Sequence, residues 1–311
     1  MTLINPTIDQ AKIQSWEETF IALASQKDSY LSNLPAVRYT AFEGKQHNFP
    51  RHGSFELNET KGRNPDKQYD EMLFDNRQLK RKRYTKTLIF DNMDIREMMA
   101  DPTSPAYQEF TYAINRAKDR IIAEAATADV NVGDPNNNVA LTKVSFENDG
   151  GITIDATTNL TYDILKKAQV NFINNKVSIG DLSNSNSSLI CGGTDFSQLL
   201  SEDKFINNLY STFRPAMDGK LTRVLGMNVV ALPGSETGSI TDANPILKED
   251  GTTRDCLLLA ENSIAFSMEN LKITYIPSME NKVDSSSLTV SVEMGAMRLE
   301  GARVQKIQTT F

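Results

Sequence analysis

The chain has 311 residues, of which 33 are Lys or Arg and 40 are Asp or Glu, so its formal net charge is −7 at neutral pH. With 39% hydrophobic and 23% charged residues, the composition is that of a folded protein and excludes general disorder. The length suits one elaborated domain or two interleaved ones, and the acidic balance argues against a broadly basic, nucleic-acid-coating protein.

The two cysteines, Cys191 and Cys256, have no paired spacing. This argues against a disulfide framework or a zinc knuckle and predicts buried thiols in a reducing compartment. The first residues lack the apolar core of a secretory signal, and no apolar run approaches the roughly twenty residues that a membrane-spanning helix needs. We therefore expect a protein that is made and kept in the cytoplasm, without membrane association.

The first predicted element is an amphipathic helix in residues 9–31. Its apolar residues, including Trp16 and Phe20, recur at three- and four-residue steps, and Pro35 is expected to end it. Trp16 is the only tryptophan of the chain. A terminal helix with such a stripe can dock on its own core or on a partner, and the pattern leaves both open.

Residues 36–90 are densely charged and punctuated by Gly and Pro, a pattern typical of short extended pieces and turns. Within them, the basic strip RQLKRKRYTK at residues 77–86 holds six Lys or Arg. Its alternation predicts one strand whose two faces stay polar until Leu88. A segment with so few apolar residues cannot bury its own core, so we expect a long two-stranded excursion whose order depends on something outside its domain.

The clearest helix start follows, with Ser104 as a capping residue, Pro105 at the first helical position and Glu109 in the early turns. Small and apolar residues then recur at helical steps as far as Ala125. About 22 residues at 1.5 Å each predict a helix of roughly 33 Å.

The remaining chain mixes helices and strands without the regular alternation of a doubly wound sheet, which favours an α+β fold. A second helix is predicted in residues 158–175 and a short one in residues 194–210. Residues 255–268 are predicted to form a buried strand and a short helix, and residues 287–309 a final set of strands.

No catalytic signature is present. The sequence has no Walker loop, no dinucleotide fingerprint, no GxSxG elbow and no HExxH pattern. His47 and His52 are its only histidines, and beside Arg51 we expect them to be solvated rather than to bind a metal. We therefore expect neither enzymatic activity nor a metal or other cofactor.

The order of the predicted elements, from terminal helix through polar excursion and long helix to a final strand pair, carries a resemblance to a known family. The stretches that carry it are HNFPRHG at 47–53, the helical segment at 91–126, GKLTRVLGMNVVAL at 219–232 and MGAMRLEGARVQKIQ at 294–308. The chain resembles the major capsid protein of tailed phages, which has the Hong Kong 97-type fold.

This resemblance implies a division of the chain into four parts. Residues 1–35 would be an N-terminal arm that reaches along a neighbouring subunit, and residues 47–83 an extended loop that overlaps the adjacent subunit. Residues 151–282 would form the axial domain. The peripheral domain, which includes the spine helix at 104–127, would comprise residues 36–46, 84–150 and 283–311.

The resemblance further implies a structural subunit that self-assembles into hexamers and pentamers of an icosahedral shell enclosing double-stranded DNA, without sequence-specific binding. Assembly would take place in the bacterial cytoplasm, with separate scaffolding and portal proteins as partners and decoration proteins left open. Because the residues single out no cross-linking set, we expect non-covalent cohesion. The alternatives are an encapsulin-like nanocompartment, which shares the fold but encloses protein, and a cytosolic enzyme without a recognisable motif.

In a shell, the basic strip can face a carboxylate-rich surface of the next subunit, and complementary charge there fixes register and partner choice more than it adds affinity. The predicted inter-subunit contacts are Trp16, Phe20, Arg77, Lys80, Arg81, Lys82, Arg83, Glu109, Glu202 and Asp203. For the strip itself, two other interpretations are a site for a polyanion such as nucleic acid and a solvated strand whose charges prevent aggregation.

Overall fold

A computed structural model describes residues 26–57, 59, 71–97, 103–133, 140–156, 159–177, 186–202, 223–232, 253–278 and 284–310. Three of the predicted contact residues, Trp16, Phe20 and Asp203, lie outside the described residues, as does most of the helix predicted in residues 9–31. The described end of that segment, residues 26–31, is irregular rather than helical.

The described residues form four α-helices, one 3-10 helix and fourteen strands. The helices are α1 (Asn92–Glu97), α2 (Thr103–Thr127), α3 (Tyr162–Asn174), α4 (Gly193–Leu200) and the 3-10 helix Gly301–Arg303. The strands are β1 (Val37–Tyr39), β2 (Gln46–His52), β3 (Phe74–Lys80), β4 (Lys82–Asp91), β5 (Val130–Val132), β6 (Thr142–Val144), β7 (Ile152–Asp155), β8 (Ser188–Gly192), β9 (Arg223–Val224), β10 (Met227–Leu232), β11 (Thr253–Leu259), β12 (Ile264–Ile276), β13 (Ser285–Arg298) and β14 (Val304–Thr310).

The strands form three sheets. The spine sheet has the order β1-β12-β13-β4, and its pairs are antiparallel except for β1 with β12. The six-stranded sheet has the order β7-β14-β11-β8-β10-β9 and mixes parallel and antiparallel pairs. The hairpin sheet, β2-β3-β5-β6, is antiparallel throughout. This mixture of sheets and helices is the predicted α+β class.

Helix α2 packs on the spine sheet and forms the main core with it. Its 25 residues give a length of about 37 Å, and it begins at Thr103, one residue before the predicted cap. Phe110, Ile114 and Ile122 of α2 are buried in one cluster with the inward-facing residues of β13. The inward-facing residues of β13 are Leu288, Val290, Val292 and Met294. The alternation of β13 therefore presents a continuous apolar face to the long helix.

The six-stranded sheet has a separate core with helix α3 against it. Leu165, Ala168 and Phe172 of α3 are buried, and every residue of the central strand β8 is buried as well. Ile190 of β8 belongs to the main core, whereas Leu189 and Cys191 belong to this second core, so β8 is covered on both faces and carries an apolar run instead of an alternation. In the described part of the chain, no helix combines the length and apolar character of a membrane span.

Two elements differ from the sequence-based expectation. Residues 255–268 form parts of the strands β11 and β12, joined by a turn at Asn262 with φ of 52°, rather than a strand and a helix. A short buried apolar run has no periodicity that separates a strand from a helix, which is why the prediction was wrong. The expected single strand through the basic strip is also wrong, because β3 ends at Lys80 and β4 begins at Lys82.

Sheet membership also divides the chain differently from the expected segments. Strand β12, within residues 151–282, lies in the spine sheet, whereas β14, within residues 283–311, lies in the six-stranded sheet. Both strands find their partners far away along the chain, and such pairing cannot be inferred from the order of elements.

Candidate inter-subunit surface

The polar excursion is a β-hairpin that carries apolar side chains at its far end. Strands β2 and β3 pair from Gln46 opposite Lys80 to His52 opposite Phe74. At the last pair, the exposed fraction of Phe74 is 73%, and beyond it the exposed fractions of Phe55 and Leu57 are 71% and 95%. Several large apolar side chains at this exposure on one end of a hairpin are typical of a surface that is covered by a partner.

The near end of the hairpin, its root, is fixed to the spine sheet by a small core. Phe49 and Leu79 of the hairpin are buried together with Ala265 of β12 and Met297 of β13. The hairpin is therefore firmly attached at one end, while its other end extends with its apolar residues uncovered.

Arg77 of the basic strip is fully buried at this root. Its Nη1 donates to Oδ2 of Asp149 at 2.9 Å and to the carbonyl oxygen of Arg298 at 3.1 Å, and its Nη2 pairs with Oδ1 of Asp149. A guanidinium with such partners inside its own subunit is not available to a neighbouring one. Arg77 is therefore removed from the predicted contact surface, because the carboxylate that compensates its charge lies in the same chain.

Arg298 completes what we call the root cluster, Arg77, Asp149 and Arg298. Its Nε donates to Oδ2 of Asp149 at 2.9 Å, and its Nη1 donates to the carbonyl oxygens of Ala126 and Ala128 at 2.9 Å each. These carbonyls lie at the end of α2, where helical acceptors have no partner within the helix. The root cluster thus joins the hairpin, the spine sheet and the end of α2.

The electrostatics of the root cluster keep Asp149 ionised. Desolvation raises the pKa of Asp149, but hydrogen bonds from Arg77 and Arg298 together outweigh it and lower the pKa below its ordinary value. Burial lowers the pKa of Arg298, although a guanidinium remains charged at neutral pH. Two buried cations therefore share one buried carboxylate, and both depend on Asp149 for charge compensation.

Arg81 occupies the break between β3 and β4 and also has partners within its own chain. Its Nη2 donates to the carbonyl oxygens of Phe42 at 2.8 Å and Gly44 at 2.6 Å, and its Nη1 pairs with Glu269. Its guanidinium lies 4.1 Å from the centre of the Phe42 ring. The hydrogen bond from Arg81 is the main reason why the pKa of Glu269 is lowered. Arg81 therefore holds the turn before the hairpin against β12.

A glycine explains why the strip breaks at this point. Gly295 of β13 faces the backbone of Lys80 and Arg81, and a Cβ at position 295 would overlap the carbonyl oxygen of Lys80. The chain can pass from the hairpin sheet into the spine sheet here only because position 295 has no side chain.

The remaining cations of the strip face outward. Lys80, Lys82 and Arg83 are exposed, and Arg83 pairs with Glu293 at 3.2 Å while 69% of its side chain stays accessible. Such an exposed pair contributes little to stability. Hydrogen bonds from Asn270 and from Arg83 lower the pKa of Glu293. Of the six cations of the strip, Arg77 and Arg81 therefore have structural roles within the subunit, whereas Lys80, Lys82, Arg83 and the equally exposed Lys86 can meet another molecule.

The two predicted acidic partners that the structure describes, Glu109 and Glu202, have contacts inside the subunit. Glu202 accepts a hydrogen bond from the backbone N–H of Tyr162 at 2.6 Å, so it satisfies the first turn of α3. Glu109 pairs with Arg116 on α2, and 53% of its side chain is exposed. Glu109 thus keeps free surface, whereas Glu202 has a capping role.

The histidines and cysteines form no cluster of catalytic or ligating groups. His47 stacks on Phe42, with ring centres 5.2 Å apart, and meets Phe49 edge-on, with ring centres 4.7 Å apart. Cys191 and Cys256 are buried free thiols, as predicted, and burial raises the pKa of Cys191 to about 12. Among the described residues, no group of three or more His, Cys, Asp and Glu could hold a metal ion.

Sequence reasoning missed two members of the root cluster. Arg298 is the single charge in the stretch MGAMRL, and a lone Arg in a buried strand indicates a buried partner. That signal could have identified Arg298. Asp149 lies in the turn ENDGG, where an Asp is expected for local reasons, so nothing distinguishes it from an ordinary turn residue.

Comparison with known proteins agrees with this architecture. Residues 8–310 match the model of a family described as phage capsid protein. The chain belongs to this family. Among curated protein sequences, none matches at a significant level.

Solved structures share the fold over nearly the whole length. The capsid of Helicobacter pylori bacteriophage KHP30 superposes with a TM-score of 0.73 at 10% identity, covering 100% of this chain and 99% of that chain. The head of Helicobacter pylori bacteriophage KHP40 gives 0.73 at 10% identity, covering 99% and 98%. The capsid of cyanophage P-SCSP1u gives 0.69 at 16% identity, covering 99% and 96%.

The predicted Hong Kong 97-type capsid fold is confirmed by these matches. The chain is therefore a phage capsid protein with its place in the virion capsid, and it shares the fold of solved phage capsids. The family assignment favours the viral shell over the nanocompartment and the cytosolic enzyme.

Proposed function

We propose that the subunit assembles into hexamers and pentamers around double-stranded DNA, and that the hairpin within residues 47–83 overlaps the adjacent subunit. The observation that carries the proposal is the exposed apolar end of a hairpin whose root is rigidly held. Burial of a large apolar side chain contributes about 1.5–3 kcal/mol, so a monomer that leaves several exposed forgoes that free energy until a partner covers them.

The domain roles follow the sheets. The spine sheet with α2 would form the peripheral domain, and the six-stranded sheet with α3 the axial domain whose tips meet at the symmetry axes. Residues 1–35 would be the arm. The outward-facing Lys80, Lys82 and Arg83 would face an acidic surface of the next subunit, for which the half-exposed Glu109 is the best candidate.

The subunit would act structurally, without catalysis or a cofactor. Assembly would take place in the bacterial cytoplasm with separate scaffolding and portal proteins, and cohesion would be non-covalent. The net negative charge of the chain supports a wall that does not adhere to packaged DNA. Analysis of the nucleic acid and protein inside purified particles tests this proposal. Double-stranded DNA would support it, and an enzyme cargo without nucleic acid would contradict it.

The hairpin contact is tested by replacing its exposed apolar end. The variant Leu57→Asp with Phe74→Asp should fold normally, because both side chains are exposed in the subunit, but should form no shells. The matched control, Leu57→Met with Phe74→Leu, keeps the apolar surface and should assemble. Circular dichroism checks the fold, and sedimentation with electron microscopy checks assembly. Shells of normal yield from the Asp variant would contradict the overlap.

A further inference from the structure

The buried carboxylate of Asp119 on α2 is fully occupied by one short segment of the chain. Asp119 is 3% exposed, and its oxygens accept hydrogen bonds from the side chains of Gln26 and Ser29 and from the backbone N–H groups of Tyr30 and Leu31, the last two at 3.0 Å. A carboxylate has about four acceptor sites, so these four donors saturate it.

Neighbouring side chains on the same face of α2 hold the backbone of this segment. Asn115 Nδ2 donates to the carbonyl oxygen of Lys27 at 2.8 Å, and Arg116 Nη1 donates to the carbonyl oxygen of Gln26 at 3.3 Å. Residues 115, 116 and 119 recur at the spacing of one helical face. We call the set Asn115, Arg116 and Asp119 with residues 26–31 the arm clamp.

The arm clamp lies directly before the point where the chain enters the main core. Leu31 is fully buried in the main apolar cluster, and the backbone of Leu34 and Val37 continues the anchorage through hydrogen bonds to Leu31 and Leu34. Burial of Leu31 already fixes the position of the chain. The clamp adds something different, because hydrogen bonds depend on angle and therefore fix the direction in which the preceding chain leaves the helix.

We infer that the arm clamp fixes the direction in which the chain before residue 26 leaves α2, toward a neighbouring subunit, and that Asp119 is a positioning residue for shell assembly. The inference rests on the proposed function, in which residues 1–35 act as an inter-subunit arm. An arm that leaves the subunit in a fixed direction has a smaller entropic cost of docking than one that pivots freely, because part of its order exists before the contact forms.

The main test replaces Asp119 with Asn, which keeps the size of the side chain but leaves a single oxygen for four donors. Hydrogen exchange should show the amides of Tyr30 and Leu31 losing protection by about tenfold or more, as expected for the loss of hydrogen bonds to a charged acceptor. The yield of closed shells should fall, while circular dichroism and the thermal midpoint of the rest of the subunit stay close to wild type.

The matched control is Glu124→Gln on the same helix. Glu124 is exposed and pairs only loosely with Arg120, at 3.8 Å, so this change removes one carboxylate charge from α2 without touching the clamp. It should change neither the exchange of Tyr30 and Leu31 nor assembly. If Asp119→Asn fails to fold, the double variant Gln26→Ala with Ser29→Ala removes two of the four donors and leaves α2 intact.

Deletion of residues 1–25 separates the two ideas. If the deletion assembles normally, the proposed arm function fails. Suppose instead that the deletion blocks assembly, whereas Asp119→Asn or the double variant loses the clamp hydrogen bonds and still forms normal shells. Residues 1–25 would then be needed but the arm clamp would not, which overturns the inference. Retained protection of Tyr30 and Leu31 in both clamp variants would overturn it as well.

Discussion

Replacing Asp149 with Asn should loosen the hairpin root, because it removes the only carboxylate of the root cluster and keeps its shape. Arg77 and Arg298 have fully buried side chains, and 5% of the Asp149 side chain is exposed. Without the anion, two buried guanidinium groups remain close together and uncompensated. Breaking a buried ion pair by removing one partner costs about 3–5 kcal/mol, and here two cations lose the same partner.

A urea titration monitored by hydrogen exchange gives the most direct measurement. The amides of β2 and β3 should lose protection at lower urea in Asp149→Asn, whereas those of β8 in the separate six-stranded core should shift less. A double-mutant cycle with Arg77→Gln isolates the pair. The loss of unfolding free energy in the double variant should be smaller than the sum of the losses in the two single variants by about 1 kcal/mol or more.

Lowering the pH provides an independent check that ionised Asp149 stabilises the folded protein. The pKa of Asp149 is lower in the folded protein than in the unfolded chain, so its stabilising contribution is complete above the unfolded value, about 4, and is lost as pH falls through the folded value. Below about pH 4, the unfolding free energy of the wild type should therefore fall more steeply than that of Asp149→Asn. If the two proteins differ equally at pH 7 and pH 3, or if the double-mutant cycle is additive, the reasoning about the root cluster is refuted.

Two further predictions concern the basic strip. Reversing the outward-facing pair Lys82 and Arg83 to Glu should leave a folded subunit that fails to close shells, since neither side chain is buried, and electron microscopy of the particles checks this; unchanged shells would favour a merely solvated strand. Gly295→Ala should lower the free energy of unfolding by about 1–3 kcal/mol, because its Cβ would overlap the Lys80 carbonyl, whereas Gly193→Ala, which has open space, should be nearly neutral in urea unfolding.

Much of the fold is predictable from local pattern. The long helix, the buried thiols and the two-stranded excursion follow from helical periodicity, cysteine spacing and strand alternation, and each is present in the structure. The helix is three residues longer than the expected 22, because it starts before the expected cap Ser104 and continues beyond Ala125 to Thr127. Local pattern succeeds at these positions because the residues that specify the element lie within a few positions of one another.

The members of the candidate surface are less predictable because their roles depend on distant partners. Arg77 and Arg83 look alike in the strip, yet Arg77 is buried against Asp149, 72 residues further along the chain, and Arg83 is 69% exposed. Strand alternation assigns two faces but does not say which face meets the rest of the molecule. The break at Arg81 similarly depends on Gly295, which is far away in the sequence, so the residues of the strip give no sign of it.

Two groups of buried polar residues lie where separate parts of the subunit meet. The root cluster joins the hairpin to the end of α2, and the arm clamp joins residues 26–31 to the middle of the same helix. Apolar residues could fill both places with similar or greater stability, since buried ion pairs seldom exceed well-packed hydrophobic groups. What hydrogen-bonded charges provide in addition is angular definition. If the hairpin and the proposed arm reach neighbouring subunits, every copy must present them at a reproducible angle for the shell to close. Directional contacts at the hairpin root and at residues 26–31 satisfy that requirement, which apolar packing alone does not.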